Sequence, residues 1–215
     1  MLKRRTAGKG FTLAEILITL TVIGVVAALT IPTLLQNTNQ AELIAAWKKT
    51  FGDIAQARLS ILAQDSTLDF GDTIYSVDMK NDFANKLNYI KSCNGGGEIV
   101  NCWKHTGTVK TLTGNAASDM FQGVSHIMGS LILNNGVYLA FYRDSSTQGW
   151  ITADVNGAKP PNTLGKDIFV TRITNTDAQP FGSDSQNYYG TCSPITEAPA
   201  PSLTGLACSA YYLDK

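Results

Sequence analysis

Apolar positions run without interruption from Phe11 to Ile31, FTLAEILITLTVIGVVAALTI, and Glu15 is the one charge among these 21 residues. As a helix the stretch spans roughly 31 Å, about the hydrocarbon thickness of a bilayer. After Pro32 the pattern turns amphipathic. Ile44, Trp47, Phe51, Ile54, Ile61 and Leu62 recur at helical spacing, with Lys48, Lys49, Asp53 and Arg58 elsewhere on the wheel. The spacing predicts one long helix from about Phe11 to Ala63, with Pro32 a candidate kink. Its first half (11–31) reads as a membrane span, and its second half (32–63) as a helix that lays an apolar stripe on a globular domain.

From Gln64 to about Ser130 the chain is polar and rich in glycine, and only Phe83, Leu87 and Ile90 keep helical spacing, which predicts a short amphipathic helix. Strand signals follow. Leu131-Ile132-Leu133 and Val137 to Tyr142 flank Asn134-Asn135-Gly136, a hairpin with an Asn-Gly turn. Trp150–Val155 and Asp167–Ile173 supply two more strands. Three or four antiparallel strands against a long helix make an α+β domain over residues 64–215. The segment from about Thr174 to Lys215, rich in Ser, Thr, Pro and Gly, reads as a loop-dominated tail.

Charge separates the first ten residues from the rest. Lys+Arg and Asp+Glu both total 17, which argues against nucleic acid as a partner held through a broad basic surface. Lys3, Arg4, Arg5 and Lys9 fall within a leader that holds no acid, so 13 bases face 17 acids in the remainder. No further charge appears between Glu15 and Glu42. The positive-inside rule then keeps the N-terminus in the cytoplasm and exports the bulk of the chain. A hydrophobic content of 44% is enough for a real core and excludes wholesale disorder.

A cleaved secretory signal accounts for the basic leader and the apolar run, yet it gains nothing from Glu15, a charge costing on the order of 2.5–3.5 kcal/mol inside a membrane. Gly10-Phe11-Thr12-Leu13-Ala14-Glu15, after a short basic leader and before an apolar run, resembles the processing site of type IV prepilins and of the pseudopilins of type II secretion. The resemblance covers about the first 50–60 residues and implies a membrane peptidase that cuts between Gly10 and Phe11 and then N-methylates Phe11. It also implies an inner-membrane location for the anchor, assembly machinery in that membrane, and polymerisation with itself and other pilin-like subunits. Glu15 matches the family's acid past the cut, and Gly24 and Pro32 stand where its filament helices carry a glycine and a proline. Cleavage would create a positive amine on Phe11, and Glu15 of one subunit could neutralise the amine of its neighbour.

Four cysteines in an exported domain imply disulfides. Of three pairings, the two local ones, Cys93–Cys102 and Cys192–Cys208, are favoured; the first closes Asn94-Gly95-Gly96-Gly97 and the second ties down the tail. A disulfide across a variable C-terminal region is also what the pilin resemblance implies for Cys192–Cys208. A zinc site from Cys93, Cys102 and His105 is the rival, without the paired Cys-x-x-Cys spacing zinc sites favour. His126 reads as a surface or core residue.

The loop holding Asp154, Asn156, Asn162 and Asp167 joins two predicted strands and offers oxygen donors. Major pseudopilins bind calcium in a similar acidic loop, so calcium is the one candidate cofactor, but the family's ligand pattern is unmatched and two carboxylates are too few, so no cofactor is expected; the alternative reading is that these residues form turns with their own backbone. Enzyme motifs are missing: there is no Gly-x-Ser-x-Gly, no Gly-x-x-x-x-Gly-Lys and no His-Glu-x-x-His. The expected function is that of a structural, non-catalytic subunit of a type IV pilus or type II secretion pseudopilus. The alternatives are a minor tip pilin that binds a surface or DNA through a tail with Tyr188, Tyr189, Tyr211 and Tyr212, and a single-pass anchored domain unrelated to filaments.

Overall fold

The computed structural model describes residues 10–70, 78–105, 108–118, 121, 126–143, 147–183, 192 and 203–214, with backbone alone for 33 and 35–37. Helix α1 runs Leu13–Asp65 with Pro32 inside it, and contacts divide the chain into two compact units at Ala41/Glu42. In the first unit the side chains of the helix are exposed, including Leu17, Ile23, Val26 and Leu29.

In the second unit α1 turns one face inward. Trp47, Ile54, Ala57 and Ile61 are buried at the spacing read from the sequence, together with Thr50 and Arg58. They pack on a six-stranded antiparallel sheet whose spatial order is its sequence order: β1 (Tyr89–Asn94), β2 (Gly129–Leu133), β3 (Tyr138–Arg143), β4 (Gln148–Asp154), β5 (Ile168–Thr174) and β6 (Ala178–Pro180). Leu131, Leu139, Phe141, Ile151, Ala153, Phe169 and Ile173 face the helix and form one core with it and with Met79 and Phe83 of α2 (Asp78–Ala84). Ala140, Tyr142 and Val170 face the opposite way, onto Trp103, Ile127, Phe121, Leu164, Phe181 and Leu206. Both faces of the sheet are therefore covered. That is why Val137–Tyr142 reads as a continuous apolar run and not as an alternating one.

The α+β class stands, with more strands than the three or four expected. The hairpin turns at Asn134-Asn135-Gly136, where Gly136 has φ +87° and the Asn135 side chain accepts from the Val137 N–H at 3.2 Å. The predicted helix through Phe83, Leu87 and Ile90 is corrected. Helix α2 ends at Ala84, and Ile90 is 71% exposed on β1, whose residues pair with Ser130, Leu131 and Ile132 of β2. The chain must turn there to reach the sheet edge, and strand pairing overrides the helical spacing. Residues Gly96–Asn101 form a 3-10 helix, and a Cβ on Gly95 would lie 2.7 Å from the Ile127 carbonyl oxygen.

The described part of the tail holds two short elements among its turns. Thr174 is the last residue of β5, β6 follows, and α3 (Cys208–Tyr211) buries Cys208, Ser209 and Ala210. Tyr188 and Tyr189 lie outside the described residues; Tyr211 is exposed, and Tyr212 packs edge-on against Phe169. Disulfides join Cys93 to Cys102 and Cys192 to Cys208. The zinc alternative falls with the first, because bonded sulfurs are not thiolate ligands.

Candidate processing and assembly site

Gly10 and Phe11 precede α1, and Phe11 is 85% exposed. Thr12 caps the helix that begins at Leu13. Its hydroxyl oxygen accepts from the Glu15 N–H at 3.2 Å, while Glu15 Oε2 accepts from the Thr12 N–H and the Thr12 hydroxyl, both at 2.8 Å. This is a reciprocal capping box, which satisfies two of the N–H groups a helix start leaves orphaned. It also means that Glu15 is held at the N–H of the Phe11–Thr12 peptide by its own helix. Thr12 was not singled out from the sequence, although Thr-x-x-Glu before an apolar run is the signature of the box.

Beyond Thr12 the helix meets the requirements of a membrane span. Leu13–Pro32 covers 20 residues at a mean hydropathy of 2.3, with no part of it buried within the molecule. Threonines within it satisfy their own hydroxyls against the backbone, Thr21 on the Leu17 carbonyl at 2.8 Å and Thr30 on that of Val26 at 3.0 Å. Apart from Glu15 and the threonines, such a helix exposes apolar side chains, so it suits lipid or other apolar helices.

Residues 5–31 match the family model of the prokaryotic N-terminal methylation motif. This segment is a type IV pilin-like prepilin segment. No curated protein and no solved structure matches the chain. The prepilin motif, the helix behind it, the antiparallel sheet and the late disulfide together give a pilin-like α+β fold. The motif supports a secreted subunit of the type IV pilin or pseudopilin kind, and implies processing by a prepilin peptidase and assembly with pilins in general.

The four residues expected to offer oxygens to a cation lie in the second unit, at the β4–β5 connection. Asp154 ends β4 and is fully buried; burial pushes its carboxyl up to about 6, against the opposing pull of His105. Asp154 Oδ1 accepts from the Asn156 N–H at 3.0 Å, the turn-forming role given as the alternative. Asp167 is also buried and raised by burial, and its two oxygens accept from the backbone N–H groups of Asn162 at 2.8 Å and Thr163 at 2.7 Å. His105, considered in the sequence only as a zinc ligand, places Nε2 2.5 Å from Asp154 Oδ2. No pattern in the sequence pairs residues 105 and 154. Among the described residues, no group of three or more His, Cys, Asp or Glu is gathered for a metal. A groove of about 350 Å³ between α1, residues 86–88 and the hairpin turn is lined by Lys49, Asp53, Gln56, Ser60, Lys86 and Asn134.

Proposed function

We propose that the chain is a structural subunit of a type IV pilus or a type II secretion pseudopilus. The peptide bond between Gly10 and Phe11 is cut, Phe11 is N-methylated, and the subunit polymerises through the apolar half of α1. The observation that carries this reading is the methylation motif over residues 5–31, continued by a helix whose apolar side chains find no cover in the subunit itself. On assembly, Glu15 leaves or shares its Thr12 contacts and pairs with the new amine of a neighbour's Phe11. A buried pair formed only between subunits offsets the cost of holding a carboxylate in the membrane and fixes register more than it adds stability.

The anchor occupies the cytoplasmic membrane with its N-terminus inside, and the domain from Glu42 onward lies on the other side. Partners are further copies, other pilin-like subunits, the peptidase-methylase and the assembly machinery of that membrane. Calcium in the β4–β5 loop is not carried into this reading, because three of the four Asp154 and Asp167 carboxylate oxygens already accept from backbone N–H groups.

Intact mass and N-terminal sequencing of the native protein, from membranes and from sheared surface material, test the proposal. The expected product begins at N-methylated Phe11 and is enriched in filaments. A chain still beginning at Met1, or cut after the apolar run, sinks it. Glu15→Ala is expected to be processed and to stay in the membrane, yet to assemble at least about tenfold less, the loss of a pair bond worth roughly 1.4 kcal/mol. Normal filament yield from that variant removes the role assigned to Glu15.

A further inference from the structure

The β4–β5 loop has the residue types of a cation site, but its donors do not converge on an open centre. Three of the four carboxylate oxygens already face a hydrogen-bond donor: Asp154 Oδ1 the Asn156 N–H, Asp167 Oδ2 and Oδ1 those of Asn162 and Thr163. The fourth, Asp154 Oδ2, lies 2.5 Å from His105 Nε2, a contact that crowds the two buried atoms together while neither has a hydrogen-bond partner among the described residues. What remains are Asn156 Oδ1 and Asn162 Oδ1, buried and without partners. Two amide oxygens fall far short of the six to eight that calcium takes.

We propose that His105 stands where a metal ion would, so that this loop is ordered by an imidazole from within the chain and needs no cation. The imidazole arrives from the segment just after Cys102 and is 1% exposed, held edge-on by Trp103 with ring centroids 4.8 Å apart. It takes the place at Asp154 that a bound cation would take at a carboxylate: a ring nitrogen fills the space against Oδ2 where water cannot reach. It also joins two segments that no disulfide links, the 3-10 helix layer on one side and the β4–β5 connection on the other. The inference concerns the exported domain alone and is independent of the filament reading.

The test is hydrogen exchange of the full-length chain in detergent, followed over residues 154–167 with a calcium chelator and then with added calcium. In the natural chain, exchange is expected to be the same in both. His105→Gln is expected to speed exchange of the Asn162 and Thr163 amides by about tenfold or more, with no recovery on adding calcium. Asp154→Asn keeps the shape that packs against His105, so it is expected to retain chelator insensitivity and most of the protection. Faster exchange on chelation in the natural chain overturns the proposal, and so does unchanged protection in His105→Gln. If that variant fails to fold, Asp154→Asn decides alone. As a calcium ligand it would be the disruptive change, and loss of the loop's protection in it would count against His105.

Discussion

Arg58 shows how one polar residue on a buried helix face is made tolerable. Its guanidinium is 5% exposed and donates to two backbone carbonyls beyond β5, from Nε to Thr174 at 2.7 Å and from one terminal nitrogen to Asn175 at 2.5 Å. Asn175 in turn accepts from the Leu68 N–H at 2.7 Å through its side-chain oxygen, so one turn fastens both the last turns of α1 and the chain just past its end. Arg58→Leu keeps the volume and strands the carbonyls, and should cost about 2–3 kcal/mol in denaturant unfolding. The same logic applies to Trp47, whose indole N–H reaches the Ser209 carbonyl at 2.9 Å. Trp47→Phe keeps an aromatic ring beside Phe169, 4.8 Å away, and forfeits only that bond. We expect about 1–2 kcal/mol, well below the 3–5 of Trp47→Ala.

At the scale of elements, α2 carries a charge problem. Asp82 has its carboxyl raised above the ordinary range, first by burial and then by Asp69, Asp65 and Asp78 nearby, against a hydrogen bond from the Asp69 N–H. A raised value means that the folded chain holds this proton more tightly than the unfolded one. Its contribution to stability is therefore full below the ordinary aspartate range and is lost as pH rises through the raised value. Asp82→Asn, which can still accept from Asp69, should stabilise the fold at neutral pH by a few tenths of a kcal/mol after solvent screening. Thermal melts across pH 3 to 7 should show that gain vanish in acid.

Legibility in the sequence followed burial. Helix α1, the hairpin and strands β4 and β5 place apolar side chains at a fixed period against a core, and periodicity found them. Strand β1 leaves every side chain but Cys93 exposed, and β6 is three half-buried residues, so neither carries a period. Gly10, Phe11 and Glu15 fall within the methylation motif, which a linear string of residues carries without any fold. Thr12 was legible in principle through its spacing to Glu15. The His105–Asp154 contact was not, since 49 positions separate residues that only the covering of the sheet's second face brings together.

For the whole molecule, the two disulfides do different work. Cys93–Cys102 closes a nine-residue separation beside an exposed strand, whereas Cys208 is fully buried in the main core and reaches back across 16 residues to Cys192. Replacing Cys192 and Cys208 by serine should cost about 3 kcal/mol from loop closure, plus the burial of a hydroxyl in place of sulfur. The pair Cys93→Ser and Cys102→Ser should cost less, and paired denaturant titrations of the two double variants check the ranking.

Ser209 sits at the centre of that late core. Its carbonyl takes the Trp47 indole and its hydroxyl accepts from the Val170 N–H at 2.9 Å, while Leu206 covers the second face of the sheet. During synthesis and export, Trp47 emerges 162 residues ahead of the group it bonds to. The core is thus closed by a residue 162 positions further along the chain. A chain interrupted before residue 208 would lack the partners of both the Trp47 indole and Cys192, and would leave that core open.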